Sequence, residues 1–487
     1  MAEHCYPWLQ WQPIKPDRWE REIDEAELFY TVMAKTYEGT GRMFFAITGF
    51  MSITVEAPDI PMGEAGEKVE VALRDAWLRL RYDQPTIATR VDFDPFQEKW
   101  RKSYTPLNPE HAEKQHKEWL HQTFVSITPN ITGLEWCNAD PPAPKLPTLF
   151  VISPRSTGKD NERTVRRDLV IRSPHDIMDG IGTLILLNNL LTHTVSAYTQ
   201  QPSWNLPEPG TETNILSPPF RVAAAIPPIL TLHQQEQLQH LKADNEALRR
   251  NVRILTLPFK QGAVSPGKHQ RVALELSTAE TAQLLTESKR LGATVTHLYH
   301  AAIAIALRDI QAPEAEQRVG RYISYSLMNE RKRCKGEYAT SRHAAAVYHS
   351  VAGNNLALNL IIPSIDDVQS RDSVNKDDKY TEFCSLVNRV KIYYHTIRDS
   401  LDFLALAPCF WSMITPNIPN PASADSSQIQ VPAPNTSPSV SLSSMGVIDK
   451  IISPRHGPFR ISNPWVTGEE LGTGLGISWG HGREGFV

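Results

Sequence analysis

The chain has 487 residues, 41% of them hydrophobic and 21% charged; at roughly 150 residues per domain it holds two to four domains and buries more than one core without disulfide or metal staples. Lys and Arg number 50 against 54 Asp and Glu, a formal net charge of -4, which leaves no basic excess for a dedicated nucleic-acid binder. Cys5, Cys137, Cys334, Cys384 and Cys409 form no CxxC pair, and no run of about 18 apolar residues or signal-peptide layout occurs, so a cytoplasmic protein without membrane spans, disulfides or a zinc ribbon is expected.

In chain order, Met43–Glu56 is rich in β-branched and aromatic residues and predicts a strand. Val69–Tyr82 repeats its apolar residues near helical spacing. Leu149–Ser153, Asp168–Arg172 and Arg271–Ser277 predict short strands, and Ile181–His193 an apolar helix. Thr278–Leu291 predicts an amphipathic helix with Ser277 as N-cap, followed by a buried helix at Val295–Leu307. Further strands are expected at Gly320–Met328, Asn355–Pro363 and Val440–Ile448. The 37 prolines cluster, most densely at Pro416–Pro438, whose composition predicts an exposed loop. Helices mixed with strands between Pro-rich breaks predict an α/β (α+β) protein of two lobes, residues 1–215 and 216–487.

One segment carries chemistry: Ser173-Pro174-His175-Asp176-Ile177-Met178-Asp179-Gly180, between a predicted strand and a predicted helix. Pro174 disfavours helix at Ser173, and Gly180 permits an unusual backbone angle before the helix starts. His175 and Asp179 therefore sit on a tight connection, where loops present functional side chains from a rigid scaffold. An imidazole, with an ordinary pKa of about 6.5, is the natural group to remove a proton near neutral pH.

This segment resembles the HxxxD(G) signature of the CoA-dependent acyltransferase superfamily, which includes the BAHD acyltransferases and the condensation domains of nonribosomal peptide synthetases. The resemblance covers most of the chain: ATVTHLYHAAIAIAL, GRYISYSLMNERKR and GNNLALNLIIP follow in the superfamily's order, and SVSLSSMGVID is similar to its late strand crossing back to the first lobe. The opening YPWLQWQPIKPDRWEREIDEAE and closing PWVTGEELGTGLGISWG are most similar to fungal enzymes of the trichothecene 15-O-acetyltransferase type. Pro174 stands where condensation domains carry a first histidine, and the DFGWG motif of plant enzymes is absent, its place taken by PRHGPFRISNPWV.

The resemblance implies two chloramphenicol-acetyltransferase-like lobes with a tunnel between them, the strand near 440–448 returning to the first lobe. It implies an O-acyltransferase that moves an acyl group, acetyl above all, from acyl-CoA to a hydroxyl of a hydrophobic secondary metabolite. His175 would be the general base, and Asp179 would fix the loop through an arginine, with Arg172 and Arg333 the candidates; Gly180 belongs to the same loop. Ser443 or Ser444 would supply an oxyanion donor, and the basic run Arg331, Lys332, Arg333 would contact CoA phosphates. Acyl-CoA enters as co-substrate, so no bound cofactor or metal is expected, and the enzyme is expected to act as a monomer on a small-molecule alcohol without nucleic-acid or membrane partners. Two other readings stay open: a stand-alone condensation-type enzyme taking thioesters from a carrier protein, and a non-catalytic ligand-binding relative.

Other signals are weaker. Gly476-Ile477-Ser478-Trp479-Gly480 fits GxSxG, but a hydrolase elbow requires an acid and then a histidine downstream; the seven following residues contain no Asp, and His481 is too close in sequence to fold back as a partner. Gly472, Gly474 and Gly476 lack the strand-to-helix context of a phosphate loop. His297 and His300 lie three apart without a cysteine or carboxylate beside them, so core packing is expected.

Overall fold

The computed structural model describes residues 6–128, 131–154, 163–200, 205–258, 267–369, 376–416, 439–482 and 485–486. Most of the Pro-rich stretch expected to be a loop, 417–438, lies outside these residues.

The first lobe is built on a six-stranded sheet in the order Arg455–His456, Phe459–Gly468, Ile47–Glu56, Thr164–Ser173, Thr148–Ile152, Phe124–Ile127. Its centre is antiparallel: Ile47 pairs with Ser173 and Glu56 with Thr164. Both faces are covered, which explains why the strand is buried almost without a break from Ile47 to Val55. Ile47, Met51, Ile53 and Val55 pack towards the helices Met62–Asp83 and Gly180–Tyr198. Phe50 lies on the other face and stacks on Trp465, with ring centroids 5.2 Å apart. Gly49 allows the second helix to approach closely, since a Cβ there would lie 2.4 Å from the Thr183 methyl.

The second lobe has a three-stranded sheet, Leu356–Ile362, Arg318–Ser324 and Arg253–Ile254, packed under the helices Val295–Asp309 and Lys376–Asp399. Ser277 caps the helix Thr278–Arg290 through a capping box with Glu280, as its sequence predicts. His300 is buried between the hydroxyls of Tyr322 and Tyr394, 3.0 Å from each, so it is a satisfied core residue.

Two expectations differ from the structure. Arg271–Ser277 forms no strand: Val272, Leu274 and Leu276 alternate as strand residues do, but Val272 and Leu274 are exposed, 91% and 80% respectively. The strand Val440–Val447 does not enter the first lobe's sheet; it pairs in parallel with Leu475–Gly482. The return is made by Phe459–Gly468, which adds to Ile47–Glu56. Among the described residues no helix is long and apolar enough to cross a membrane.

Candidate active site

The strand Thr164–Ser173 ends at Pro174, and the helix Gly180–Tyr198 begins six residues later with Asp179 as its N-cap. Asp179 Oδ1 accepts from the Gly182 backbone N–H at 2.7 Å, satisfying one of the helix's free donors. Oδ2 accepts from Tyr348 N–H and from Arg331 Nη1, each at 2.9 Å. Burial alone would raise this carboxyl, but the Arg331 charge, the adjacent His349 side chain and the Arg331 hydrogen bond hold it well below the usual carboxylate range. The arginine that fixes the loop is therefore Arg331. Arg172 is buried against Glu469 at 2.9 Å, and Arg333 pairs with Glu330 at 3.2 Å.

This placement also divides the basic run. Arg331 is buried, Arg333 lies over the Phe403 ring, and Lys332 alone of the three is exposed. A CoA-phosphate role for the run as a unit does not fit that arrangement, because Arg331 is already committed to Asp179.

The glycines differ as well. Gly180 has no unusual backbone angle; it is the first helical residue, and an added Cβ would stand 3.4 Å from the Met445 methyl. Gly182 is the one without room, since a Cβ there would fall 2.2 Å from the Ala344 carbonyl oxygen.

Below the loop is a buried charge cluster. Arg21 holds Glu27 with two hydrogen bonds of 2.7 and 2.6 Å, Lys102 also contacts Glu27, and Lys102 Nζ donates to the Asp176 carbonyl at 2.6 Å. Thr31 donates to the Asp176 carboxylate at 2.8 Å. The loop is thus clamped from the helix Glu25–Lys35, the strand Lys99–Tyr104 and the second lobe at once.

His175 is half-buried on the cavity side of this frame. Its ring stacks on Tyr30, with centroids 3.6 Å apart and planes within 4°. Tyr30 Oη is hydrogen-bonded to His349 Nε2 at 2.8 Å, and His349 Nδ1 lies 3.5 Å from Asp179 Oδ2. His175 Nδ1 is buried without a hydrogen-bond partner among the described residues, whereas Nε2 is not sealed off in the same way. Nε2 is therefore the ring nitrogen open to the cavity. Burial pushes the imidazole down to about 3, with His349 adding to the effect and Asp179 opposing it, so the ring is neutral at pH 7.

The cavity beside His175 measures about 150 Å³. Ser441, Ser443 and Ser444 line it from one strand and Ser478 from the paired strand, with Ser443 in register opposite Ser478. The predicted His175, Asp179, Gly180, Ser443, Ser444 and Arg331 all border this cavity, whereas Lys332 and Arg333 do not. Sequence reasoning missed Tyr30, His349 and Ser441, which carry no local motif. Ser478 lies in the GxSxG segment, on a strand rather than at a strand-to-helix elbow.

Asp140, His269 and Glu469 bring ligand-type atoms within 4.8 Å of one another. Arg42 contacts both carboxylates and Arg172 pairs with Glu469, so this cluster is already neutralised by two guanidiniums and is a poor cation site.

No curated protein sequence matches the chain. Among solved structures, it is similar to the TRI3 trichothecene 15-O-acetyltransferase from Fusarium sporotrichioides, with a TM-score of 0.73 at 17% identity, covering 100% of this chain and 94% of that one. It is also similar to the first condensation domain of the CDA synthetase, with a TM-score of 0.55 at 13% identity over 96% of this chain and 89% of that one. The condensation domain of the monacolin K polyketide synthase MokA follows, with a TM-score of 0.51 at 12% identity over 96% and 90%. These likenesses identify the fold as two chloramphenicol-acetyltransferase-like lobes. The family model described as 15-O-acetyltransferase Tri3 matches residues 4–403, most of the sequence, and the chain belongs to that family of acetyltransferases.

Proposed function

We propose that the chain transfers an acetyl group from acetyl-CoA to a hydroxyl of a hydrophobic secondary metabolite, with His175 as general base. The observation that carries this reading is that His175 borders a serine-lined cavity while the motif's carboxylate turns away to Arg331. The name of the structural relative, a trichothecene 15-O-acetyltransferase, supplies the acceptor class: a polycyclic alcohol.

On this reading Nε2 takes the proton from the acceptor hydroxyl as its oxygen forms a bond to the thioester carbonyl carbon. The carbonyl π electrons move to oxygen, where a hydroxyl of Ser443 or Ser444 donates a hydrogen bond. Collapse re-forms the carbonyl and breaks the C–S bond; the CoA thiolate takes the proton back from the imidazolium, leaving ester and free thiol. A ring held at about 3 is a weak base but is never lost to protonation near neutrality. Its transient positive charge meets the Tyr30 face, stacked 3.6 Å away, an attraction worth about 0.5–2 kcal/mol.

The pH dependence follows from the direction of that shift. His175 works deprotonated, so acid limits it only near its own lowered value, about 3, and not near the ordinary value of about 6.5. Initial rates should stay level between about pH 5 and about pH 8 after correction for stability; a reversible one-proton fall near the ordinary imidazole value would contradict the assignment.

The donor is tested by offering a trichothecene with a free 15-hydroxyl together with either acetyl-CoA or an acetylated carrier protein, and following the ester by mass spectrometry. Product from free acetyl-CoA is expected. Product only from the carrier-bound thioester would replace this reading with a condensation-type one.

A further inference from the structure

A larger cavity, about 640 Å³, opens beside the His175 chamber and shares Thr467, Gly468, Glu470, Gly476, Ile477 and Ser478 with it. Its volume lies within the usual range for small-molecule sites, and Tyr299, Trp465 and Trp479 give it aromatic walls. Glu470 stands at the junction of the two spaces.

Glu470 and its neighbour have opposite surroundings. Glu469 is buried among Arg172, Arg42 and His269. Glu470 has no cationic partner within ion-pair distance among the described residues, and its Oε1 accepts a hydrogen bond from the Gly472 backbone N–H at 2.9 Å. Oε2 has no partner among the described residues and is not sealed from the cavity. Gly472 and Gly474, unexplained as a phosphate loop, leave space around this carboxylate: a Cβ at Gly472 would come 2.9 Å from Oε1, and one at Gly474 would lie 3.9 Å from Oε2. Burial pushes the carboxyl up, with only the Gly472 N–H opposing. A desolvated carboxylate without a cation is costly to keep, and such groups concentrate where a ligand uses them.

We infer that Glu470 is an acceptor-recognition residue whose free Oε2 accepts a hydrogen bond from a second hydroxyl of the acceptor, distinct from the one acetylated, as the acceptor lies across both cavities. The inference rests on the acetyltransferase reading and adds a substrate class to it: neutral polycyclic alcohols bearing at least two hydroxyls. A cationic acceptor fits less well, because Arg172, His269 and Arg271 line the same large cavity. The phosphates of CoA fit less well beside Glu470 for the opposite reason.

Equilibrium binding tests this without requiring acetyl transfer, so its outcome is separable from the role of His175. Two trichothecenes with a free 15-hydroxyl, one carrying a further free hydroxyl and the other deoxygenated at that carbon, are titrated calorimetrically into the wild type, Glu470→Leu and Glu470→Gln. The wild type should prefer the additional hydroxyl by about tenfold to a hundredfold, the cost of leaving one buried acceptor unpaired. Glu470→Leu should lose that preference through weaker binding of the hydroxylated compound, and Glu470→Gln, which keeps a carbonyl oxygen, should retain most of it. Acetyl-CoA affinity should stay within about twofold in both variants. No preference in the wild type, an unchanged preference in Glu470→Leu, no binding of either compound, or a loss confined to acetyl-CoA would each overturn the assignment.

Discussion

Replacing His175 with alanine is expected to lower the turnover number by about 10²–10⁴-fold, the range that a positioned general base supplies. The fold should survive, because the loop is held by Asp179, Lys102 and Thr31 rather than by the imidazole. The thermal midpoint and the affinity for acetyl-CoA should therefore change little while kcat collapses. This separation distinguishes loss of chemistry from loss of structure. Turnover within tenfold of the wild type would assign the base to another residue, and His349, with its ring centroid 5.7 Å from that of His175, would be the next to examine.

The second large effect falls on stability. Asp179→Ala removes the carboxylate facing a buried guanidinium, together with the cap of the helix Gly180–Tyr198. Breaking a buried pair by deleting one partner costs about 3–5 kcal/mol, and loss of an N-cap adds about 1 kcal/mol. Much of this cost is the stranded charge of Arg331. Asp179→Ala/Arg331→Met should therefore be less destabilised than the sum of the two single variants, a coupling that chemical denaturation of all four proteins measures directly. Strict additivity would mean that the two side chains act independently despite their 2.9 Å contact. Activity should fall in every variant of the cycle, since His175 depends on the loop that Asp179 ties to the second lobe.

The sequence revealed what depends on local pattern. The helix read at Val69–Tyr82 occupies Met62–Asp83, and the strand read at Asn355–Pro363 occupies Leu356–Ile362; both have clear periodicity, and only their ends moved. The strand–loop–helix around His175 was legible because Pro174 and the apolar run from Ile181 bracket it. Arg271–Ser277 misled for a physical reason: its alternation matches a strand, but among the described residues only Leu276 makes a bridge, and the segment lines the large cavity instead. The partner of Asp179 was hidden because 152 residues separate it from Arg331, and a cluster of positive charge reads as solvated until packing buries one member. Tyr30, His349 and Glu470 belong to the same class. Each becomes part of a site through long-range packing, which leaves no spacing signal in the chain. The return strand was misplaced in a similar way, since Val440–Val447 and Phe459–Gly468 differ in their partners more than in their composition.

The central claim is that an alcohol meets a thioester next to Nε2 of His175, inside the cavity between the lobes. A crystal structure with an acetyl-CoA analogue in which a methylene replaces the thioester sulfur tests it most directly. The account predicts the ketone carbon inside the 150 Å³ chamber, facing Nε2 across space for one hydroxyl oxygen at about 3–3.5 Å from the carbon. An acetyl group bound outside that chamber, or screened from Nε2 by protein side chains, would contradict it.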